Sequence, residues 1–294
     1  MEEEIAHGLS SDTLDQSKTY RQKLLQKLSD VFGYTCVLFF TSQHYPVTLD
    51  MTDADILEEV LSSIDLQKGL CLILDTLGGD GIAAERIVRV CRVYSHGKFD
   101  VLVVRRAKSA GTIIAMGANR IFMGETSALG RIDPQILIKE KEGNQYLIPA
   151  HVIVASFDKL VNRASTSNDK LEIYLQQLHI YDGRQIELIR RQMKMTEDIA
   201  IKCLREGMLA GDSRVEIRKK AVPFVTPVVT KAHTRDIFFE EVKAAGLKVE
   251  LVSHDSSIWS LVSDLYINAS DFVNSKYCKL IESSDCHHSL PWNG

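Results

Sequence analysis

The sequence predicts an α/β protein, and three observations lead to this class. Short apolar runs such as Leu70–Asp75 and Phe99–Val104 are typical of buried strands. Each run is followed by a helical pattern, at Gly81–Val93 and at Ser109–Gly117. The composition is that of an ordinary globular chain, 45% hydrophobic and 25% charged. Strands that alternate with helices form a parallel sheet with right-handed crossovers.

The remaining elements follow from apolar periodicity and from turn residues. Before Asp133-Pro134 the sequence predicts helices at Thr19–Phe32 and Asp53–Ile64 and strands at Thr35–Phe40 and Arg120–Met123. After it come a hairpin (Ile136–Lys139 with Tyr146–Ile148), a late strand (Val249–Val252) and helices at His151–Ala164, Asp169–Leu178, Gly183–Gly207, Arg235–Ala245 and Trp259–Asn268. Thr234 is the expected start of the Arg235 helix.

The domain division expected from these patterns is one large unit with two appendages. Residues 1–17 are predicted to be a flexible, acidic arm, residues 18–278 the folded domain, and residues 279–294 a tail. A metal caught by Cys286, His287 and His288 would then lie on that exposed tail, so we expect no functional metal site.

The totals exclude several classes of function. The chain has 294 residues, a formal charge of −4 and a pI near 6.2, which disfavours nucleic acid as a partner. No run is long and apolar enough to span a membrane, and the start of the chain lacks the features of a secretory signal. Its six cysteines show no CxxC spacing. We therefore expect a cytoplasmic protein with reduced thiols.

Two chemical features follow neighbouring predicted strands. Gly78-Gly79 ends one strand, and Ser109 follows the other. Parallel strands deliver such residues to the same carboxyl edge of a sheet, where open α/β sheets bind ligands. A Gly-Gly turn can aim backbone N–H groups at an oxyanion, and a serine hydroxyl can attack a carbonyl. Gly78, Gly79 and the N–H of Ala110 are the candidate oxyanion donors; Ser109 could instead only cap its helix.

The motifs around these residues resemble a known family. The segments LILDTLGGD (72–80) and RRAKSAGTIIAMGANRIFMGETSALGRIDPQ (105–135) are similar to the ClpP/crotonase superfamily, and most similar to serine dehydrogenase proteinases, close to signal peptide peptidase A. Further matches are AERIVRVCR, IPA at 148–150, MLAG at 208–211 and HTRDIFFEEVKAAGLKVE from His233. The resemblance runs from about Tyr20 to Val252. It implies a spiral of β-β-α units with a helical C-terminal part.

The resemblance also implies ATP-independent serine peptidase activity through an acyl-enzyme on Ser109. The Clp protease subunit carries a histidine where this chain has Gly130–Pro134, so that triad is not reproduced here. The peptidase A branch uses a lysine, and Lys159 occupies the matching neighbourhood. A lysine serves as a base when burial removes its proton. His151 and His233 are alternative bases, and Asp133 could orient one.

Other interpretations remain open from the sequence. Asp75 and Asp80 beside the Gly-Gly turn are expected to be solvated or capping carboxylates, and Gly78–Gly81 lacks the spacing of a dinucleotide loop. No cofactor is expected. The partners expected are a peptide or unfolded protein substrate and further copies of the chain in a ring. Alternatives are an inactive scaffold protein and a crotonase-type enzyme acting on an acyl thioester.

Overall fold

The computed structural model of the chain describes residues 11–139, 143–166, 170–225 and 235–292. The strands are β1 (Thr35–Thr41), β2 (Leu70–Thr76), β3 (Phe99–Ala107), β4 (Ile121–Met123), β5 (Ala128–Leu129), β6 (Gln135–Lys139), β7 (Gln145–Pro149), β8 (Ile237–Phe238), β9 (Val249–Leu251), β10 (Tyr277–Glu282) and β11 (His287–Pro291). The helices are α1 (Ser11–Phe32), α2 (Met51–Ser62), α3 (Gly81–Tyr94), α4 (Ala110–Met116), α5 (Ala150–Thr166), α6 (Leu171–Leu178), α7 (Gly183–Glu206), α8 (Arg214–Val225), α9 (Phe239–Ala244) and α10 (Ser257–Val273).

The predicted α/β class is confirmed by a mostly parallel sheet between two helical layers. Its strand order is β11-β10-β1-β2-β3-β4-β9, and β1, β2, β3, β4 and β9 run parallel. Strand β2 is buried along its whole length, as expected for a parallel strand covered on both faces. One core cluster packs α2, α3, α4 and α7 on one face, and a second packs α1 and α10 on the other.

The first 150 residues follow the predicted order of elements closely. The predicted flexible arm over 1–17 is wrong for 11–17, because α1 already begins at Ser11. Residues 1–10 lie outside the described part of the chain. Strand β3 runs three residues further than predicted, to Ala107, which places Ser109 two residues beyond the end of the strand.

The predicted tail over 279–294 is wrong, because the chain returns to the sheet there. Strand β10 pairs antiparallel with β1, and β11 pairs with β10. Leu280 and Ile281 are buried in the two core clusters. The sequence signal for this strand is weak because Lys279 within it and Glu282 at its end are charged yet only 5% and 0% exposed.

Buried ion pairs hold these charges. Glu282 accepts hydrogen bonds from Arg21 Nε at 2.7 Å and lies 2.8 Å from Nδ1 of His287. Lys279 donates to Asp53 at 2.8 Å and to Asp50 at 2.9 Å. Because buried charges are stable only with partners, the last strands are tied to α1 and α2. His287 therefore belongs to the folded sheet, not to a metal-binding tail.

After Asp133 the observed helices and strands differ more from the predicted ones. The hairpin is present as β6 paired with β7. Helix α8 was not predicted, and Pro223 lies within it. The predicted helix over Arg235–Ala245 begins only at Phe239, because Ile237–Phe238 pairs with β5. The expected cap, Thr234, lies outside the described residues.

Three general properties complete the description. All six cysteines are free thiols. Among the residues described, no helix has the length and apolarity needed to cross a membrane. Within the same ranges, no three His, Cys, Asp or Glu side chains are grouped so that they could hold a metal ion.

Candidate active site

Ser109 has a strained backbone at the carboxyl end of β3. Its φ of 48° and ψ of −112° lie in a region that residues other than glycine rarely adopt. Such strain persists only where the surrounding structure enforces it, and it is frequent in active sites. The side chain makes no capping hydrogen bond to α4. The alternative that Ser109 serves only as a helix cap is therefore not supported.

The Gly-Gly turn presses directly against this serine. Gly78 has a φ of 96°, and a Cβ atom there would lie 2.4 Å from the Lys108 carbonyl oxygen and 2.8 Å from Ser109 Cβ. At Gly79 a Cβ atom would lie 2.3 Å from the backbone nitrogen of Leu49. Both positions require glycine because the backbone segments approach too closely for any side chain.

Two backbone N–H groups remain open beside Ser109. Leu49 bridges to Gly79 by donating to Gly78 O and accepting from Asp80 N, at 2.9 and 2.8 Å. In a parallel bridge of this kind, the N–H of Gly79 points away from Leu49. Within the described residues, neither the Gly79 N–H nor the Ala110 N–H donates a hydrogen bond. Both groups were named from the sequence as candidate oxyanion donors, and neither is engaged within the described structure.

Gly78 was predicted to be an oxyanion donor, but in the structure its N–H group is already bonded within the turn. Its N–H donates to Thr76 Oγ1 at 3.1 Å, so it is not free to bind an oxyanion. Thr76 in turn accepts from Thr41 Oγ1 at 3.0 Å. Gly78 therefore permits the close approach to Ser109, while Gly79 and Ala110 carry the open donors.

Two threonines that the sequence analysis did not identify fix the backbone of the site. Thr76 holds the Gly-Gly turn as described. Thr112, in the first turn of α4, donates to Ala107 O at 2.6 Å and accepts from Gly130 N at 3.0 Å. It thereby ties the helix after Ser109 to the end of β3. A threonine in a helix gives no sequence signal of such a role.

The two acidic residues beside the Gly-Gly turn differ from each other. Asp80 caps α3 by accepting from Ile82 N at 2.7 Å, so the capping prediction is correct for this residue. Asp75 is fully buried, so the expectation of a solvated carboxylate is wrong there. Burial raises the pKa of Asp75 above its ordinary value, against the lowering effect of hydrogen bonds from the backbone of Arg105 and Arg106.

Ser109 opens into a cleft of about 850 Å³. The cleft runs between the Gly-Gly turn, the segment after β5 and the middle of α7. Its lining includes four exposed apolar side chains, which are Leu77, Ile82, Leu147 and Met195. Polar lining comes from Thr48, Gln135, Gln192 and Thr196 and from the carboxylates of Asp50, Asp80 and Asp133. The space has the size and the mixed lining of a ligand site.

The candidate bases lie in different environments. Asp133 lines the cleft, and its Oδ2 lies 3.2 Å from Nδ1 of His151 at the start of α5. Neither His151 nor Lys159 lines the cleft; Lys159 is exposed on the same helix, whereas His151 is half-buried. Lys159 therefore lacks the burial that a lysine base requires. Lys108 forms an ion pair with Asp236. His233 lies outside the described residues.

Comparison with known proteins identifies the class to which this site belongs. Residues 41–169 match the sequence profile of the ClpP-like SDH-type serine proteinases. This segment contains the Gly-Gly turn, Ser109 and the pair of Asp133 and His151. This match confirms the sequence-based recognition of a ClpP-like serine proteinase segment.

The individual proteins to which the chain is similar share about a third of their aligned residues with it or fewer. The chain is 32% identical to the uncharacterized protein MJ0137 of Methanocaldococcus jannaschii over 130 residues, 41% of this chain and 45% of that protein. It is 34% identical to MJ1495 of the same organism over 196 residues, 65% of this chain and 56% of that protein. The chain thus spans about half the length of these curated relatives. A structural neighbour, a mutant of the membrane-bound stomatin-specific protease 1510-N, is 20% identical over 43% of this chain and 64% of that chain, with a TM-score of 0.28.

Proposed function

We propose that this protein is a serine peptidase that cleaves peptide bonds through an acyl-enzyme on Ser109. One observation carries the proposal: Ser109 is held in a strained conformation beside two N–H groups that donate no hydrogen bond within the described structure. A hydroxyl beside such donors suits acyl transfer, because preorganised N–H groups stabilise the negative charge that develops on the tetrahedral intermediate.

The mechanism has two halves. Ser109 Oγ attacks the scissile carbonyl carbon and transfers its proton to the base, while the N–H groups of Gly79 and Ala110 bind the oxyanion. The intermediate then breaks the C–N bond, and the leaving amine takes the proton. Water then attacks the ester carbonyl and gives its proton to the base, which returns that proton to Ser109 Oγ as the C–O bond to the serine breaks. The position of Ser109 at the amino end of α4 also favours the developing negative charge.

We assign the base to His151, oriented by Asp133, in preference to Lys159. The Nδ1 of His151 faces the carboxylate of Asp133 at 3.2 Å, which leaves Nε2 to accept a proton. Asp133 lines the cleft into which Ser109 opens. Catalytic hydrogen bonds are often long in the absence of substrate, so we expect the imidazole to approach Oγ when peptide fills the cleft. The predicted Ser109–Lys159 dyad is retained as the alternative to be tested.

The substrate we propose is an extended peptide or an unfolded segment of protein. The cleft of about 850 Å³ combines apolar side chains with polar groups and carboxylates. A peptide offers apolar side chains and backbone polar groups to both kinds of lining. The family of residues 41–169 also consists of proteinases.

We also propose that the chain assembles with further copies of itself. Hairpin β6–β7 exposes Leu137, Tyr146 and Leu147 by 50%, 42% and 61%, and α6 buries none of its residues. An isolated two-stranded hairpin is marginally stable in water, and apolar patches of this kind mark interaction surfaces. Light scattering tests this proposal. A particle larger than the 33.0 kDa chain supports assembly, and a single species of that mass contradicts it.

The activity is tested with Ser109→Ala and a matched control. We expect Ser109→Ala to lose hydrolysis of an unfolded protein such as reduced casein while its thermal unfolding is unchanged. Ser62→Ala removes an exposed hydroxyl whose only described bond is to Glu59 O, and it should retain activity. Undiminished hydrolysis by Ser109→Ala would contradict the proposal.

A further inference from the structure

The two strands that deliver the site are out of register just before it. In β2 and β3, Leu74 pairs with Val103, but Thr76 pairs with Ala107. One residue of β2, Asp75, therefore faces three residues of β3, which are Val104, Arg105 and Arg106. A bulge of this size leaves backbone N–H groups without ladder partners. Such groups are costly to bury unless something else accepts from them.

The carboxylate of Asp75 fills this gap. Its Oδ2 accepts from the backbone N–H groups of Arg105 and Arg106 at 2.9 and 3.1 Å. Its Oδ1 accepts from Gln43 Nε2 at 2.8 Å. Gln43 is itself held through Oε1, which accepts from Arg106 Nη1 at 3.0 Å. The fully buried side chain of Asp75 thus replaces the missing ladder bonds of the bulge.

The bulge determines where β3 ends. After it, the strand pairs again at Ala107, and Lys108 N donates to Thr76 O at 3.0 Å. Ser109 follows directly with its positive φ. The same short segment of β2 holds the Gly-Gly turn, because Thr76 accepts from Gly78 N. Asp75 and its neighbour Thr76 therefore fix the nucleophile and the oxyanion donors relative to each other.

We propose that Asp75 is a positioning residue for Ser109, acting through the bulge of β3. The proposal rests on the proposed function, since it concerns the reactivity of Ser109. Asp75 does not touch the reacting atoms. It acts by keeping the hydroxyl aligned with the N–H groups of Gly79 and Ala110, where a misplacement of about 1 Å costs about 100-fold in rate.

The test is a reciprocal exchange of carboxylate and amide. Asp75→Asn keeps one oxygen for Arg105 and Arg106 but turns an amide NH2 toward the NH2 of Gln43. Gln43→Glu alone places a second carboxylate beside Asp75. The double variant restores complementarity, because the new amide NH2 at position 75 can donate to a carboxylate at position 43, which still accepts from Arg106. The readout is the rate at which a fluorophosphonate labels Ser109.

We expect each single variant to label about 10- to 100-fold more slowly than wild type, and the double variant to recover most of that loss. Asp30→Asn, an exposed carboxylate of α1 that is changed in the same way, should label as wild type does. Wild-type labelling by Asp75→Asn, or a double variant that is no faster than Asp75→Asn, overturns the proposal.

Two further measurements keep the test decisive. Amide hydrogen exchange at Arg105 and Arg106 should accelerate in Asp75→Asn, because the neutral amide oxygen that remains accepts more weakly than a carboxylate. This readout does not depend on peptidase activity. If no variant and not even wild type is labelled, the proposed function fails while the exchange data still test the bulge. If Asp75→Asn does not fold, Gln43→Ala removes one bond to the carboxylate from a half-buried side chain. Its labelling should be slowed, and an unchanged rate refutes the positioning role.

Discussion

Nδ1 of His151 lies 3.2 Å from Oδ2 of Asp133, although the two residues are 18 positions apart in the chain. The carboxylate of Asp133 is 4% exposed, and the imidazole of His151 is 24% exposed. A buried carboxylate that receives Nδ1–H fixes the ring orientation and leaves Nε2 as the acceptor. This pair resembles the base and orienting acid of a catalytic triad more closely than the exposed Lys159 resembles a lysine base.

The first prediction separates these two bases. His151→Ala should reduce kcat/KM by about 100- to 10,000-fold, because general base catalysis contributes an effect of that size. Lys159→Ala should keep near wild-type activity, because this exposed side chain lacks the burial that a lysine base requires. Steady-state hydrolysis of a fluorogenic peptide measures both variants.

His151→Gln serves as the control for orientation. Its amide can still donate to Asp133 but cannot take the proton of Ser109, so we expect it to be as inactive as His151→Ala. An active His151→Ala together with an inactive Lys159→Ala would return the assignment to the predicted Ser109–Lys159 dyad.

The second prediction concerns the buried ion pair that holds the last strands. Arg21→Ala should lower the free energy of unfolding by about 3–5 kcal/mol, because it leaves the carboxylate of Glu282 buried with less compensation. Urea denaturation measures the loss. Arg191→Ala breaks a pair with Glu187 in which the arginine is 75% exposed, and its effect should be near zero. Equal effects of the two variants would show that β10 and β11 do not depend on Arg21.

The third prediction follows from the raised pKa of Asp75. Its folded pKa lies above the ordinary value of 3.8, chiefly because burial disfavours the charged form. The folded protein therefore binds this proton more tightly than the unfolded chain does. The contribution of Asp75 to stability is greatest below about pH 3.8 and declines as pH rises to the raised folded value.

Urea denaturation of wild type and Asp75→Asn at several pH values shows whether the stabilisation by Asp75 falls or rises with pH. The stability of wild type relative to the variant should fall as pH rises through that window and should then stay level. A relative stability that grows with pH would mean that the hydrogen bonds from Arg105 and Arg106 outweigh the cost of burial.

Much of the site was predictable because local sequence determines it. The apolar runs of β2 and β3 and the helical patterns after them placed Gly78, Gly79 and Ser109 at one edge of the sheet. The positive φ of Gly78 is also indicated by the sequence, because glycine is the residue that adopts such a backbone conformation most readily. The oxyanion role of Gly79 and Ala110 stays a prediction, whereas the bond from Gly78 to Thr76 could be found only in the folded structure.

The remainder depends on contacts between distant residues. Strand β10 was not recognised as a strand because Lys279 and Glu282 become compatible with burial only through Asp53 and Arg21, more than 200 residues away. The bulge in β3 has no signal of its own, since Arg105 and Arg106 resemble a solvated turn until Asp75 is placed opposite them. The choice between Lys159 and His151 likewise depends on which side chain faces Asp133.

Covalent labelling of Ser109 tests the central claim most directly. Wild-type protein is incubated with a fluorophosphonate, digested and mapped by mass spectrometry, beside Ser109→Ala and the exposed-serine control Ser62→Ala. We predict one modified residue, Ser109, in wild type and in Ser62→Ala, and none in Ser109→Ala. Modification of a different serine, or undiminished labelling of Ser109→Ala, would contradict the assignment of Ser109 as the nucleophile.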